Sequence, residues 1–330
     1  MATIRDVAER AGVNISTVSR VLNGKMRVEE QTRERVMKAV EELGYRPNRL
    51  AKALKERKSS TIALVVPNIR NQIFPALASG VEDMAIKHGY NLFLCNTGND
   101  LNIEKSYIQS LKERLVDGII FATATADSDH LLALNEEGFP MVLLLRHLGA
   151  NIDAVYCDNY KAAVEGTEYL YNKGCRRIAF LGGDRKISAY NERFNGYRDY
   201  IENAGLSFEP KLTYTGRDTS FDAGYNAMCE YMKEYPDVDG LIATSDNEAI
   251  GAINAVKAAG KNVPKDVKVL GFADLDIVKH FDPPVSVMSQ PLYEMGCAAV
   301  EMLIERINNG PVQPVRTKVF KTELIPRGSV

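Results

Sequence analysis

From Thr61 onward the chain alternates short apolar runs with longer stretches of helical spacing. The strand-length runs fall at 61–66, 91–95, 118–122, 141–145 and 154–157, with a second set at 178–181, 212–214, 240–243 and 267–271. Helical periodicity fills the gaps, for example at 74–88, 103–114, 160–172, 191–204, 222–234 and 247–259. Strands that are apolar throughout are buried on both faces, and strands joined by helices form parallel sheets covered on both sides. Two such sets predict two doubly wound lobes, with a ligand crevice outside the C-terminal ends of the strands. No apolar run approaches the roughly 20 residues of a membrane helix, so no membrane partner is expected.

The first 58 residues follow a different rule. They carry 14 Lys or Arg against 8 Asp or Glu, although the whole chain has a net charge of −2, so only this end is suited to meet a polyanion. Thr3 and Asp6 are spaced as a capping box, and Ile4, Val7, Ala8 and Ala11 follow at helical spacing. Gly12 breaks that helix, Val13 fills the turn, and Asn14 caps a second helix whose apolar face is Val18, Val21 and Leu22. A third helix, about 31–43, turns Val36, Val40 and Leu43 inward and stops at Gly44. Two short helices about a tight turn, buttressed by a third, form a helix-turn-helix. Pro47 then ends helical structure, and Asn48 caps a segment at 49–55 too short to be stable alone.

The string TIRDVAERAGVNISTVSRVLNG, with RVEEQTRERVMKAVEELGYRPNRLAKALK after it, resembles the lac-repressor (LacI/GalR) family of bacterial transcription regulators. The landmarks VDGIIF, KGCRRIAFLGG, ERFNGY, TSDNEAIGA, VPKDVKVLGF and SQPLYEMG carry the resemblance almost to the end. It implies a headpiece at 1–46, a hinge helix or linker at 47–58, and an effector-binding and dimerisation domain at 59–330. That domain would resemble periplasmic binding proteins, with lobe one at about 60–160 and 291–321 and lobe two at about 161–290 and 322–330. The resemblance also implies that Ile15, Ser16 and Arg20 face base edges, while Thr17, Ser19, Asn23 and Thr32 meet phosphates. Arg20 can bond guanine O6 and N7 together, whereas Ile15 offers apolar contact only. Asn48, Ala51 and Leu54 are implied at the hinge, with Leu54 as the minor-groove wedge and Ala51 beside it. Two heads on a homodimer would then read a pseudo-palindromic operator in double-stranded DNA.

By fold analogy the effector residues are Asn71, Gln72 and Phe74, with Asn68, from the first βα loop, then Arg146, Arg193, Ser245, Asp246, Asp274 and Gln290. Amides, guanidiniums and one aromatic suit a small polar ligand. Two positions depart from the family pattern: Leu145 and Ala273 stand where relatives carry an acid. Guanidiniums kept where carboxylates are lost favour an anionic effector, a sugar acid or sugar phosphate, on Arg146, Arg193 or both. Asp274, one place along, could instead restore the usual chemistry. Two alternatives stand beside this: a repressor responding to a neutral sugar, and a catabolite-control-type regulator with a phosphoprotein corepressor. The second would bring a phosphoserine against Glu301, which repels it.

Enzyme, metal and cofactor roles find no support in the sequence. Ser-His-Asp order, HExxH, P-loop and GxGxxG are all missing, the four histidines are scattered, and the five cysteines lack CxxC spacing. The opening Met-Ala-Thr-Ile-Arg-Asp has no basic-then-apolar leader, so the expected compartment is the cytoplasm.

Overall fold

A computed structural model describes residues 2–22, 28–45, 58–149, 151–310 and 314–330. The chain divides into two compact units, Met1–Ser59 and Ser60–Val330.

In the first unit, α1 (Ile4–Ala11), α2 (Ile15–Leu22) and α3 (Glu30–Glu42) surround a small core of Val7, Ala8, Ala11, Val18, Val36 and Ala39. Thr3 and Asp6 form the reciprocal capping box, with Asp6 Oδ2 accepting from Thr3 N at 2.7 Å. Gly12 ends α1 at φ 65°, a left-handed conformation that glycine reaches without steric cost. The Asn14 carbonyl then accepts from Thr17 N (2.9 Å) and Val18 N (3.2 Å), which opens α2.

The second unit holds two six-stranded sheets. Sheet one comprises β1 (Thr61–Val66), β2 (Asn91–Asn96), β3 (Gly118–Phe121), β4 (Met141–Leu144), β5 (Ala154–Cys157) and β11 (Thr317–Phe320), in the order β11-β5-β4-β3-β1-β2. Sheet two comprises β6 (Ile178–Gly182), β7 (Thr213–Thr215), β8 (Gly240–Ala243), β9 (Lys268–Ala273), β10 (Ser286–Ser289) and β12 (Glu323–Ile325), in the order β12-β10-β9-β8-β6-β7. The two sheets share one strand order and differ in the direction of the edge strand, since β11 runs parallel to β5. Every pairing is parallel except β10 with β12, an antiparallel edge that the expectation of parallel sheets did not contain.

Alternate residues of β1 serve opposite faces, as the strand period of two demands. Ile62, Leu64 and Val66 pack against α4 (Ile73–Lys87) and α12 (Leu292–Asn309). Ala63 and Val65 join Leu111 of α5 (Leu101–Glu113) and Leu131 and Leu134 of α6 (Asp129–Glu136). On sheet two, Ala179 and Leu181 meet α9 (Phe221–Glu234), α10 (Asp246–Ala258) and Val278 of α11 (Asp276–Lys279), whereas Ile178 and Phe180 meet α7 (Asn159–Asn172) and α8 (Ser188–Asn203). Helix α12 approaches α4 so closely that a Cβ on Gly80 would lie 2.1 Å from the Tyr293 carbonyl oxygen. The chain passes from one sheet to the other after β5, after β10 and after β11, so lobe one closes only when α12 and β11 return to it.

Candidate functional site

Two surfaces carry the chemistry. On the first unit, α2 turns Val18 fully inward and leaves Ile15 (43% exposed), Ser16 and Arg20 on the open side. Thr17 and Ser19 are half-buried beside them, and Thr32 accepts from Arg35 Nη2 at 3.3 Å. One short helix thus presents an apolar residue, a hydroxyl and a guanidinium together. Asn23, Asn48, Ala51 and Leu54 lie outside the described residues, as does nearly all of the hinge segment.

The second surface is the crevice between the sheets, at the C-terminal ends of their strands. A cavity of about 180 Å³ is lined from lobe one by Thr97, Glu104, Thr123 and Arg146, and from lobe two by Asp184, Lys186 and Arg217. A smaller chamber of about 30 Å³ is lined by Asn71, Tyr190, Arg193, Ser245, Asp246 and Ala273. Direct bonds hold the lobes together around them: Lys186 pairs with Asp127 at 2.7 Å, and Ala126 N donates to Lys186 O at 2.8 Å. His147 Nε2 lies 2.5 Å from Glu192, and His147 N donates to Ser188 Oγ at 3.0 Å.

The two arginines are buried but differently held. Arg193 Nε donates to Asn159 Oδ1 (3.0 Å), Nη1 donates to Thr244 O (2.8 Å), and the guanidinium stacks 4.5 Å from the Phe272 ring centroid. Arg146 donates to Ala124 O alone, at 3.3 Å. Burial lowers both guanidinium pKa values; the tyrosine charge at Tyr190 acts the other way on each.

Lobe two supplies carboxylates that the apolar residues at 145 and 273 do not. Asp246 Oδ2 accepts from Leu275 N at 2.8 Å while Oδ1 has no partner, and burial pushes the carboxyl up to about 7. Glu248, buried behind Ser245, is likewise pushed up to about 7 by burial, against bonds from Ser245 and Thr244. Arg193 is therefore not a guanidinium among neutral groups, which corrects the simpler reading of the lost acids. The spacing Ser245-x-x-Glu248 was visible as a capping box, and Ser245 Oγ does accept from Glu248 N at 3.2 Å. Its second role, an acid facing Arg193, had no local signal.

Leu145 and Ala273 hold φ of 67° and 114°, where the chain leaves β4 and β9. That left-handed region costs a non-glycine residue roughly 1–3 kcal/mol and is entered more readily by Asp or Asn. The apolar pair therefore stands where the backbone itself favours the acid.

Four expected ligand residues are elsewhere. Phe74 is 5% exposed, buried in an apolar cluster that holds residues of β1, α4 and α12 together with Ala273 and Leu275 of lobe two, and it lines neither cavity. Gln72 is exposed at the start of α4, and neither cavity is lined by it. Asp274 does not swing in: its Oδ1 is 2.5 Å from Arg327 Nη2, an ion pair with the C-terminal tail. Asn68 spends its Oδ1 on a turn, accepting from Arg70 N at 3.0 Å. Asn71, Arg146, Arg193, Ser245 and Asp246 line the two chambers, and Gln290 reaches their edge by donating its N–H to Ala273 O at 3.3 Å. Sequence reasoning missed Glu104 and His130, a buried pair 2.6 Å apart beneath the larger cavity, since only the fold brings α5 and α6 together.

Comparison with known proteins finds a match for each of the two parts of the chain. Residues 3–48 match the family described as bacterial regulatory proteins, lacI family. Residues 59–325 match the periplasmic binding proteins and sugar binding domain of the LacI family. The chain is 38% identical to the HTH-type transcriptional regulator RegA of Clostridium saccharobutylicum, over 100% of this chain and 99% of RegA. A solved complex of the transcriptional regulator CelR with cellobiose superposes with a TM-score of 0.77 at 31% identity, covering 100% of both chains. A lac repressor dimer bound to operator and an anti-inducer shares the fold, with a TM-score of 0.90 at 24% identity over 99% of this chain and 98% of that one. The chain belongs to the lacI family of DNA-binding transcriptional regulators.

Proposed function

We propose that this regulator is a homodimeric repressor of a carbohydrate catabolic operon, released from or locked onto a pseudo-palindromic operator by a small polar effector bound between its lobes. Residues 1–46 act as the headpiece, 47–58 as the hinge and 59–330 as the effector-binding and dimerisation part, and the protein works in the cytoplasm.

One observation carries the effector reading. Thr123 Oγ1, Asp246 Oδ1, Glu248 Oε1 and Gln290 Oε1 are buried without a hydrogen-bond partner, and all four belong to segments that follow strands β3, β8 and β10 at the crevice. Buried polar atoms are nearly always paired, so orphans on Thr123 and Asp246, which line the two chambers, with Glu248 and Gln290 in those same segments, support bonds kept for a ligand. Partners from both lobes mean that a ligand binding there favours one lobe arrangement over another, which is the coupling a regulator needs.

Dimer formation is supported by lobe one, where Ile86 (64% exposed), Phe93 (43%) and Leu94 (46%) stand on α4 and the edge strand β2. DNA reading is assigned to Ile15, Ser16 and Arg20, with Thr17, Ser19, Asn23 and Thr32 on phosphates and Asn48, Ala51 and Leu54 at the hinge.

The test is selection from a random duplex pool by the full chain. A two-fold-symmetric site should be enriched, and Arg20→Ala should lose about 1–3 kcal/mol on that site with little change on random duplex. Equal losses on both, or no symmetric site, would refute the assignment.

A further inference from the structure

We propose that the effector is a polyhydroxylated acid seated in the larger chamber, its anionic group held by Arg146 and one of its hydroxyls reaching toward Asp246 in the smaller one. This rests on the reading that the effector binds between the lobes.

The two guanidiniums make the distinction. Arg193 is already braced by Asn159, Thr244 and the Phe272 ring, and it lies in the field of Glu248. Arg146 is 7% exposed, carries five N–H donors, and spends one of them on a 3.3 Å bond. The acids around its chamber each have another partner: Asp127 bonds Lys186 at 2.7 Å, Asp184 lies 3.4 Å from Arg217, and Glu104, whose charge also acts on Arg146, bonds His130 at 2.6 Å but makes no hydrogen bond to the guanidinium. Asp100 accepts from Asn102 N and Ile103 N, capping α5. A desolvated guanidinium with idle donors is costly, and a carboxylate or phosphoryl group answers it with two parallel bonds. The orphan hydroxyl of Thr123, lining the same chamber, supplies one more donor.

The smaller chamber presents the opposite demand. Its orphan is Asp246 Oδ1, which lacks a partner. Whether Asp246 is ionised or protonated, a ligand hydroxyl can bond that oxygen, as donor or acceptor; a bare anion cannot do both. Tyr190 lines the smaller chamber and lies in the field of both arginines, so the two demands are adjacent and one molecule can meet them. An acid at one end and hydroxyls at the other is the ligand this asymmetry selects.

Calorimetric titration of the full chain should pair neutral sugars with their anions: D-glucose with D-glucuronate, D-gluconate and D-glucose 6-phosphate, and D-galactose with D-galacturonate. The expected result is that one anion binds about 10- to 100-fold more tightly than its neutral parent, the carboxylate and phosphate arms telling which group Arg146 takes. Arg146→Gln should erase that preference, Arg146→Lys should keep part of it, and Arg193→Lys should weaken acid and parent alike. The wild-type comparison decides the matter even where a variant does not fold. Equal or tighter binding of the neutral parent, no binding by any of the anions, or a preference that survives Arg146→Gln would each overturn the proposal. Operator selection is read separately, so loss of the acid preference with a symmetric site intact refutes this inference and leaves the regulator standing.

Discussion

Asp246→Asn should make the protein more stable at neutral and alkaline pH, by an amount that grows with pH up to about 7 and then levels off. Asp246 is 1% exposed, and burial raises its carboxyl to about 7, the Leu275 N–H opposing this and the charge of Asp274 adding to it. In the unfolded chain it titrates near ~3.9. Between those values the folded state holds a proton that the unfolded state has released, so stability falls as pH rises through that window and stays low above it. A displacement of about three pH decades, at roughly 1.36 kcal/mol per decade, amounts to about 4 kcal/mol. Asparagine cannot ionise and keeps a carbonyl for the Leu275 N–H, so it escapes this loss. Calorimetric melts of both proteins from pH 4.5 to pH 8 should therefore diverge up to about pH 7 and then run level, the variant melting roughly 8 °C higher at the upper end. Glu248, also near 7, is common to both proteins and drops out of the difference. A gap that stays constant with pH, or a wild type that is the more stable at pH 8, would refute the reasoning.

Two further substitutions probe the frame around the crevice. Gly80→Ala sets a methyl 2.1 Å from the Tyr293 carbonyl oxygen, so α4 and α12 must part and stability should drop by about 3 kcal/mol; an unchanged melt would mean the helices are not in that contact. Asp153→Asn strips the carboxylate that receives Arg306 (2.6 Å) and Arg316 (3.0 Å) at the seam of α12 and β11, and should cost about 3–5 kcal/mol at pH 7. Burial raises the Asp153 carboxyl, but the Arg306 and Arg316 bonds together outweigh it and hold the pKa below the usual range. That gap should then persist down to about pH 4 and close as pH falls further, which acid denaturation of the two proteins measures.

The helix-turn-helix and the central strands were legible because their causes are local. Thr3, Asp6 and Gly12 fix the first helix by capping and by the left-handed turn, within twelve residues of one another. The runs at β1, β3 and β8 are buried on both faces and therefore apolar throughout, which is a signal a sequence shows directly. The edge strands β11 and β12 were not found: they are short and mostly solvent-facing, so no apolar run marks them. Strand β10 is buried but only four residues long and begins and ends in serine. In the crevice, strand ends announced Arg146 and Asp246, and the ERFNGY helix announced Arg193. What failed was long-range: Asp274 finds Arg327 across 53 positions, and Glu104 finds His130 across 26, pairings that no spacing rule contains. Phe74 shows the converse limit, since an aromatic beside a binding loop and an aromatic under it look alike in sequence.

The central claim is that the crevice and the DNA-reading surface are energetically coupled, and linkage tests it most directly. Operator affinity of the full chain should be measured with and without the tightest-binding sugar or sugar acid, and the affinity for that ligand with and without saturating operator duplex. The account predicts that the two ratios are equal and differ from one by about 5- to 150-fold, because a coupling free energy is shared between the sites it connects. A ligand that fills the crevice while leaving operator affinity unchanged, with both ratios at one, would contradict it.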